Sequence, residues 1–230
     1  ELVEKIQRGA GIPGNAGILP PKHIMYNPNV KKYDHNIKKS EEMLDKLGYD
    51  KKDANGIRQN ANGEKLSFDL LVGESSVRSA EVIKEQLGKV GINLKVQSVD
   101  IKTRDARVRE HKYQLAIMGH GNWGRDADYL RERFAGLSKG GMAPDTIGVY
   151  GYKNDKLNEL LEQQNQTFDN KQRKKLVFQI QEILAEDVPE IPLVYSTGYT
   201  VYKPAKYDGW MCHFDHHTVS MCKLSYLERK

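Results

Sequence analysis

Leu66-Ser67-Phe68-Asp69-Leu70-Leu71-Val72 reads as a strand, and Ile92-Asn93-Leu94-Lys95-Val96-Gln97 alternates apolar and polar side chains as a strand with one buried face should. Between them Ser76 stands where a helix cap belongs, and the helix runs to about Val90 before Gly91 closes it. Val77, Ala80, Ile83, Leu87 and Val90 lie broadly on one face of that helix. Strand, crossover helix and strand at this spacing predict a right-handed βαβ unit with parallel strands. Working outward, Asp100 to Glu110 offers a second helix and Tyr113 to Met118 a third strand, so the order is β-α-β-α-β and the fold class is α/β.

The third strand leads into Gly119-His120-Gly121-Asn122-Trp123-Gly124-Arg125-Asp126. Three glycines in six positions let a backbone turn tightly and approach a ligand closely. In an open α/β sheet ligands sit in the crevice beyond the carboxyl ends of the strands, which His120, Asn122, Trp123 and Arg125 would line. Gly119, Gly121 and Gly124 also spell G-x-G-x-x-G, the dinucleotide fingerprint, and open the alternative of a dinucleotide-dependent oxidoreductase. That mechanism needs a further strand ending in an acidic residue about 20 positions on. Asp145 has the distance, but Ala135 to Pro144 is glycine-rich with no apolar run, and another βαβ-like unit precedes the fingerprint. The enzyme alternative therefore turns on whether a parallel strand ends at Asp145. A third alternative, a plain interaction domain, predicts Trp123 packed inside with no groove beside it.

The flanking chain reads as follows. Residues 1 to 8 resemble a helix tail, and Gly9 to Asn29, rich in Gly, Pro and Asn, an irregular segment hugging the surface. Asp34 is placed to cap a helix carrying Ile37, Leu44 and Leu47, with Gly48 as its stop, and Asp53 to Gly63 reads as a hairpin excursion. Beyond the glycine loop come a short helix over Asp126 to Phe134 and a long loop over Ala135 to Gly151. Asp155 is placed to cap Lys156 to Gln164, and Asp169 a helix to about Glu186 whose stripe of Leu176, Val177, Ile180, Ile183 and Leu184 reads as core. Pro189 ends it, and Ile191 to Tyr195 and Tyr199 to Tyr202 have strand character.

With 230 residues, 38% hydrophobic and 29% charged, the chain is globular in composition and long enough for one large domain or two small ones. No stretch approaches the 18 consecutive apolar residues of a spanning helix. The first residues lack the pattern of a signal peptide and read like the inside of a helix, so the expectation is a piece of a longer polypeptide. The net charge of +5 is spread along the chain without a basic stripe of interleaved aromatics, which argues against nucleic acid as a partner. Lys31-Lys32 and Arg173-Lys174-Lys175 read as solvated faces. Cys212 and Cys222 form no C-x-x-C; a disulfide and two free thiols both remain open. Among Cys212, His213, Asp215, His216 and His217, the three histidines are what a metal would use. His216 and His217 are adjacent, however, and point to opposite sides of an extended strand, so exposed or packed histidines are expected and no cofactor is.

Several stretches in order resemble one family: Glu1-Leu2-Val3 through Gly9-Ala10-Gly11 with Pro20-Pro21, Tyr33-Asp34 through Leu44, Leu47-Gly48-Tyr49, and Ile83-Lys84-Glu85-Gln86-Leu87 with Gly91-Ile92. Tyr113 to Gly119, Asp126 to Tyr129, Ile180 to Leu184 and Val188 to Pro192 complete the series. The chain resembles the C-terminal lobe of family 5 extracellular solute-binding proteins, the peptide and nickel receptors of ABC importers. The resemblance implies a periplasmic-binding-protein-like α/β lobe with βαβ units and a mixed sheet flanked by helices. It implies that residues 1–230 are one lobe, with 1–35 and 204–230 irregular near the interlobe crossover. The partners it implies are a peptide or other small solute, an N-terminal lobe of the same protein, and a membrane permease, in an extracytoplasmic setting with no chemistry of its own. In peptide-binding members an Asp in the loop receives the peptide's α-amino group. Here the aromatic position is His120, and Asn122 or Trp123 stands where that Asp would be, so a charge-assisted bond to an ammonium is missing. A nickel chelate or another non-peptide solute is the alternative within the family. The contact residues expected are Gly119, His120, Gly121, Asn122 and Trp123, with Arg125, Arg104 and Ile101 as outer positions.

Overall fold

A computed structural model describes residues 1–119, 126–135 and 152–197, together with the backbone of the short strands at 207–208, 212–213, 216–218 and 228–229. The elements run β1 (Gly11–Pro13), α1 (Ile37–Lys46), β2 (Lys51–Lys52), β3 (Arg58–Gln59), β4 (Ser67–Gly73), α2 (Val77–Gly88), β5 (Asn93–Val99), α3 (Ile101–Arg109) and β6 (Leu115–Ala116). They continue with α4 (Tyr129–Phe134), α5 (Asp155–Asn165), α6 (Asn170–Asp187), β7 (Val194–Ser196), β8 (Tyr207–Asp208), β9 (Cys212–His213), β10 (His216–Thr218) and β11 (Glu228–Arg229). The chain divides into two compact units, Glu1–Ile6 with Tyr33–Gly119, and Gln7–Lys32 with His120–Lys230.

The first unit is built on the expected β-α-β-α-β order. β4 pairs in parallel with β5 along its whole length and with β6 on its other side, giving the order β5-β4-β6. Leu70 and Val72 of β4, Leu94 of β5 and Ala80 of α2 are buried, with Phe68, Val77, Ile83, Leu87, Val96 and Ile117 packed against them. The period of two in β4 thus meets the helical face read from α2. Ser76 holds the cap position of α2 without a side-chain cap bond, because a 3-10 turn over Glu74–Ser76 already folds the entry. α3 is capped by Asp100, which accepts from the backbone N–H of Thr103 at 3.0 Å and from its hydroxyl at 2.6 Å. α1 is capped by Asn36, which accepts from the N–H of Lys39, and not by Asp34, two residues too early. Its apolar positions Ile37 and Leu47 are exposed.

The second unit has a helical core. Leu130 and Phe134 of α4, Leu157, Leu160 and Leu161 of α5, and Val177, Ile180 and Leu184 of α6 pack together. Leu176 and Ile183 join this core from the flank of the predicted stripe. Ile18, Leu19 and Met25 complete it, so the segment expected to hug the surface instead reaches the centre. Polar groups pin it there. Gln181, fully buried, donates to the Met25 carbonyl at 2.7 Å and accepts from the Asn27 N–H at 3.0 Å. Tyr195 donates to the Ile18 carbonyl at 2.7 Å and accepts from Asn15 Nδ2 at 3.0 Å. β1 and β7 pair antiparallel beside this segment, and a Cβ on Gly14 would stand 1.9 Å from the Pro192 carbonyl oxygen, so only glycine fits there. Asp169 caps α6 as expected, while Asn154 caps α5 in place of Asp155, which lies inside the first turn.

Candidate ligand-binding site

The parallel pairing of β4 with β5 and β6 places Gly73, Val99 and the stretch after Ala116 at one edge of the first unit, the carboxyl edge where α/β sheets receive ligands. Two of the expected residues meet there. Ile101 opens α3 and is 55% exposed; Arg104, one turn on, shares its face. A Cβ on Gly73 would lie 3.3 Å from Arg104 Nη1 and 3.7 Å from Ile101 Cγ1, so the guanidinium rests on the bare end of β4. Arg104 is not a solvated side chain. It is 13% exposed, and both its Nε and Nη2 donate to Asp105 Oδ1, at 2.9 and 2.8 Å. Nη1, the nitrogen beside Gly73, has no hydrogen-bond acceptor among the described residues. It is the donor that a carbonyl or carboxylate arriving at this edge would meet.

Gly119 is exposed at the end of the stretch that follows β6. Its φ is not positive, and no described atom lies within 4 Å of where its Cβ would stand. A left-handed backbone is therefore not what calls for glycine at this position. His120, Gly121, Asn122, Trp123 and Arg125 lie outside the described residues, as does Asp145, on which the oxidoreductase alternative turns. His213 and His216 are cross-strand partners in the β9–β10 pair and His217 follows in β10, while their side chains are outside the described set. Among the described residues no group of three His, Cys, Asp or Glu could hold a metal ion.

In the second unit, the residue that follows the loop is built into a polar chain that the sequence reading missed. Arg173 Nη1 donates to Asp126 Oδ2 at 3.1 Å, Nη2 donates to Asp126 Oδ1, and Nε donates to Gln164 Oε1 at 3.0 Å. Gln164, fully buried, donates onward to Asp128 Oδ1 at 2.8 Å, and Arg131 grips both oxygens of Asp128 at 2.8 and 2.9 Å. The Arg173 guanidinium holds the Asp126 carboxyl below the usual carboxylate range, against a smaller opposing effect of burial. Burial pushes the nearby His23 imidazole down, the charge of Asp126 acting the other way, and His23 Nδ1 accepts from the Met25 N–H at 3.1 Å. A signal for Arg173 and Gln164 was present. Arg173 precedes Val177 and Ile180 by one and two turns, and Gln164 follows Leu160 and Leu161 by one, so each polar residue occupies a place in an apolar stripe.

The first unit is an α/β unit with Arg104 at the carboxyl edge of its parallel sheet. Residues 1–142 match the model of the bacterial extracellular solute-binding proteins, family 5 Middle, and the chain belongs to that family. The oligopeptide-binding protein AppA of Bacillus subtilis is 27% identical over 210 residues, which cover 87% of this chain and 37% of that protein. An oligopeptide-binding protein of Thermus thermophilus, solved with a pentapeptide, has a TM-score of 0.72 and 25% identity over 85% of this chain and 35% of its own. NikZ of Campylobacter jejuni, solved with Ni(L-His), has a TM-score of 0.72 and 21% identity over 85% of this chain and 38% of its own. The chain thus spans little more than a third of the length of these relatives. They are binding proteins, and the fold is theirs.

Proposed function

We propose that this chain forms one lobe of the extracytoplasmic receptor of an ABC importer, which takes a peptide or other small solute in the cleft between two lobes and presents it, after hinge closure, to a membrane permease. The observation that carries the reading is Arg104, pinned by Asp105 through Nε and Nη2 at the carboxyl edge of the parallel sheet, with Nη1 beside Gly73 and without an acceptor among the described residues. A preorganised guanidinium donor loses little freedom on meeting a backbone carbonyl or a carboxylate, which suits a solute rich in such groups. His120, Asn122 and Trp123, named from the sequence, would offer a solute a flat ring and amide donors and acceptors. Family membership and the pentapeptide-bound relative support peptides; the relative solved with Ni(L-His), together with a loop free of carboxylates from Gly119 to Arg125, supports a chelate as the second reading.

The test is native mass spectrometry of a polypeptide that joins this chain to an N-terminal lobe, offered a pentapeptide mixture and, separately, nickel with histidine. The peptide reading expects adducts with the mixture that weaken about tenfold in Arg104→Ala, the loss of one charge-assisted bond. Adducts with nickel-histidine alone move the protein to the second reading. Adducts with neither overturn both.

A further inference from the structure

We propose that the turn between α5 and α6 is a docking surface for an anionic phospholipid membrane, with Phe168 entering the lipid and Lys171, Lys174 and Lys175 meeting the headgroup phosphates. Phe168 is 98% exposed, more than any other large apolar side chain among the described residues. One such residue alone is ordinary on a protein surface; its setting is not. α6 begins at Asn170, two positions on, and Lys171, Lys174 and Lys175 stand three and four apart on one face of its first two turns. All three are exposed, and none forms an ion pair with an acid among the described residues. Lys174 Nζ lies 5.5 Å from the centre of the Phe178 ring, so aromatic surface continues along the same face. No acid lies between Asp169 and Glu182, and both of these have partners. Asp169 caps α6, accepting from the Gln172 N–H at 2.8 Å, and Glu182 accepts from Asn27 Nδ2 at 3.2 Å. Arg173 is not part of the surface, since its guanidinium is taken up by Asp126 and Gln164.

The charge calls for an anion, and the shape chooses which. Phe168 is so exposed that no neighbouring side chain walls it, so there is no groove to seat an acidic peptide, whereas a fluid layer needs none. An aromatic ring flanked by lysines has the composition of segments that lie in the membrane interface, ring below the headgroups and ammonium groups among them. The family is extracellular, and the surface needs no solute, so the inference stands apart from the choice between peptide and chelate.

Co-sedimentation of the 230-residue chain with lipid vesicles tests this. Binding is expected to vesicles of phosphatidylglycerol mixed into phosphatidylcholine and not to phosphatidylcholine alone, and it should fall as salt rises. Phe168→Ala should weaken it about tenfold through lost apolar burial, and Lys171→Gln, Lys174→Gln and Lys175→Gln together by at least about tenfold. These side chains are exposed, so the variants should melt with the wild type. A control that removes the same charge from exposed positions of the first unit, Lys39→Gln, Lys46→Gln and Lys51→Gln, should weaken binding less than about twofold. No binding to the anionic vesicles overturns the proposal, as does binding indifferent to Phe168. Equal weakening by the control overturns it too, since the net charge of +5 would then account for the attraction. So does Phe168-dependent binding of a soluble polyglutamate peptide without binding to vesicles, which would assign the surface to an acidic protein.

Discussion

The two units bury their apolar cores by opposite routes. In the first, the core of Leu70, Val72, Ala80 and Leu94 comes from one βαβ stretch, contacts that close over short loops. In the second, Ile18, Leu19 and Met25 pack on helices more than 100 positions away, and buried polar pins such as Gln181 fix the register. Local pattern suffices for the first arrangement. The second needs side chains that recognise a particular distant backbone, and a polar group serves because it costs free energy when misplaced.

The contrast can be broken or sharpened by substitution. The largest effect is expected for Leu161→Ala, fully buried in the helical core, at about 4 kcal/mol. It should appear as lost exchange protection in α5 and α6 with β4 and β5 unaffected; equal loss in both units would erase the distinction. Gly14→Ala should cost about 3 kcal/mol, because the new methyl meets the Pro192 carbonyl and neither backbone can yield freely. Chemical denaturation reads it directly, and a neutral result would show that β1 is not held against the chain before β7. Gln181→Leu should cost about 2 kcal/mol by leaving the Met25 carbonyl and Asn27 N–H unmatched, although its volume is retained. The smallest effect is a pH dependence. Burial lowers the His23 pKa from its ordinary 6.5, so its contribution is present above that value and is lost as pH falls through and below it. Thermal melts from pH 7.5 to 5 should show a decline that is flatter in His23→Asn.

What could be read in advance follows the same line. The β-α-β-α-β order, the cap at Asp169 and the stripe of α6 depend on residues near in sequence, and they were legible from period and capping chemistry. The burial of Ile18 and Leu19 was not, since Gly, Pro and Asn around them signal irregular backbone and say nothing about depth. Asp34 and Asp155 were chosen as caps on residue type, yet Asn36 and Asn154 have the extended backbone that a cap needs. At the site, Ile101 and Arg104 were named from the family resemblance, while the bare end of β4 at Gly73 and the Arg173–Asp126 fork needed three dimensions. Arg173 was misread as part of a solvated run because its neighbours Lys174 and Lys175 are exposed, although its place in the α6 stripe marked it.

The central claim is that solute is taken at the carboxyl edge of the parallel sheet and the loop that follows β6. Trp123 lies in that loop, and the chain's other tryptophan is Trp210. Tryptophan emission of the two-lobed polypeptide carrying Trp210→Phe, followed during titration with the pentapeptide mixture and then with nickel-histidine, tests the claim most directly. The account predicts a saturable change in emission with one of the two solutes, and at least about tenfold weaker binding by calorimetry when Trp123 is also replaced by Ala. Binding by calorimetry with emission unmoved, and affinity unchanged on losing Trp123, would contradict it.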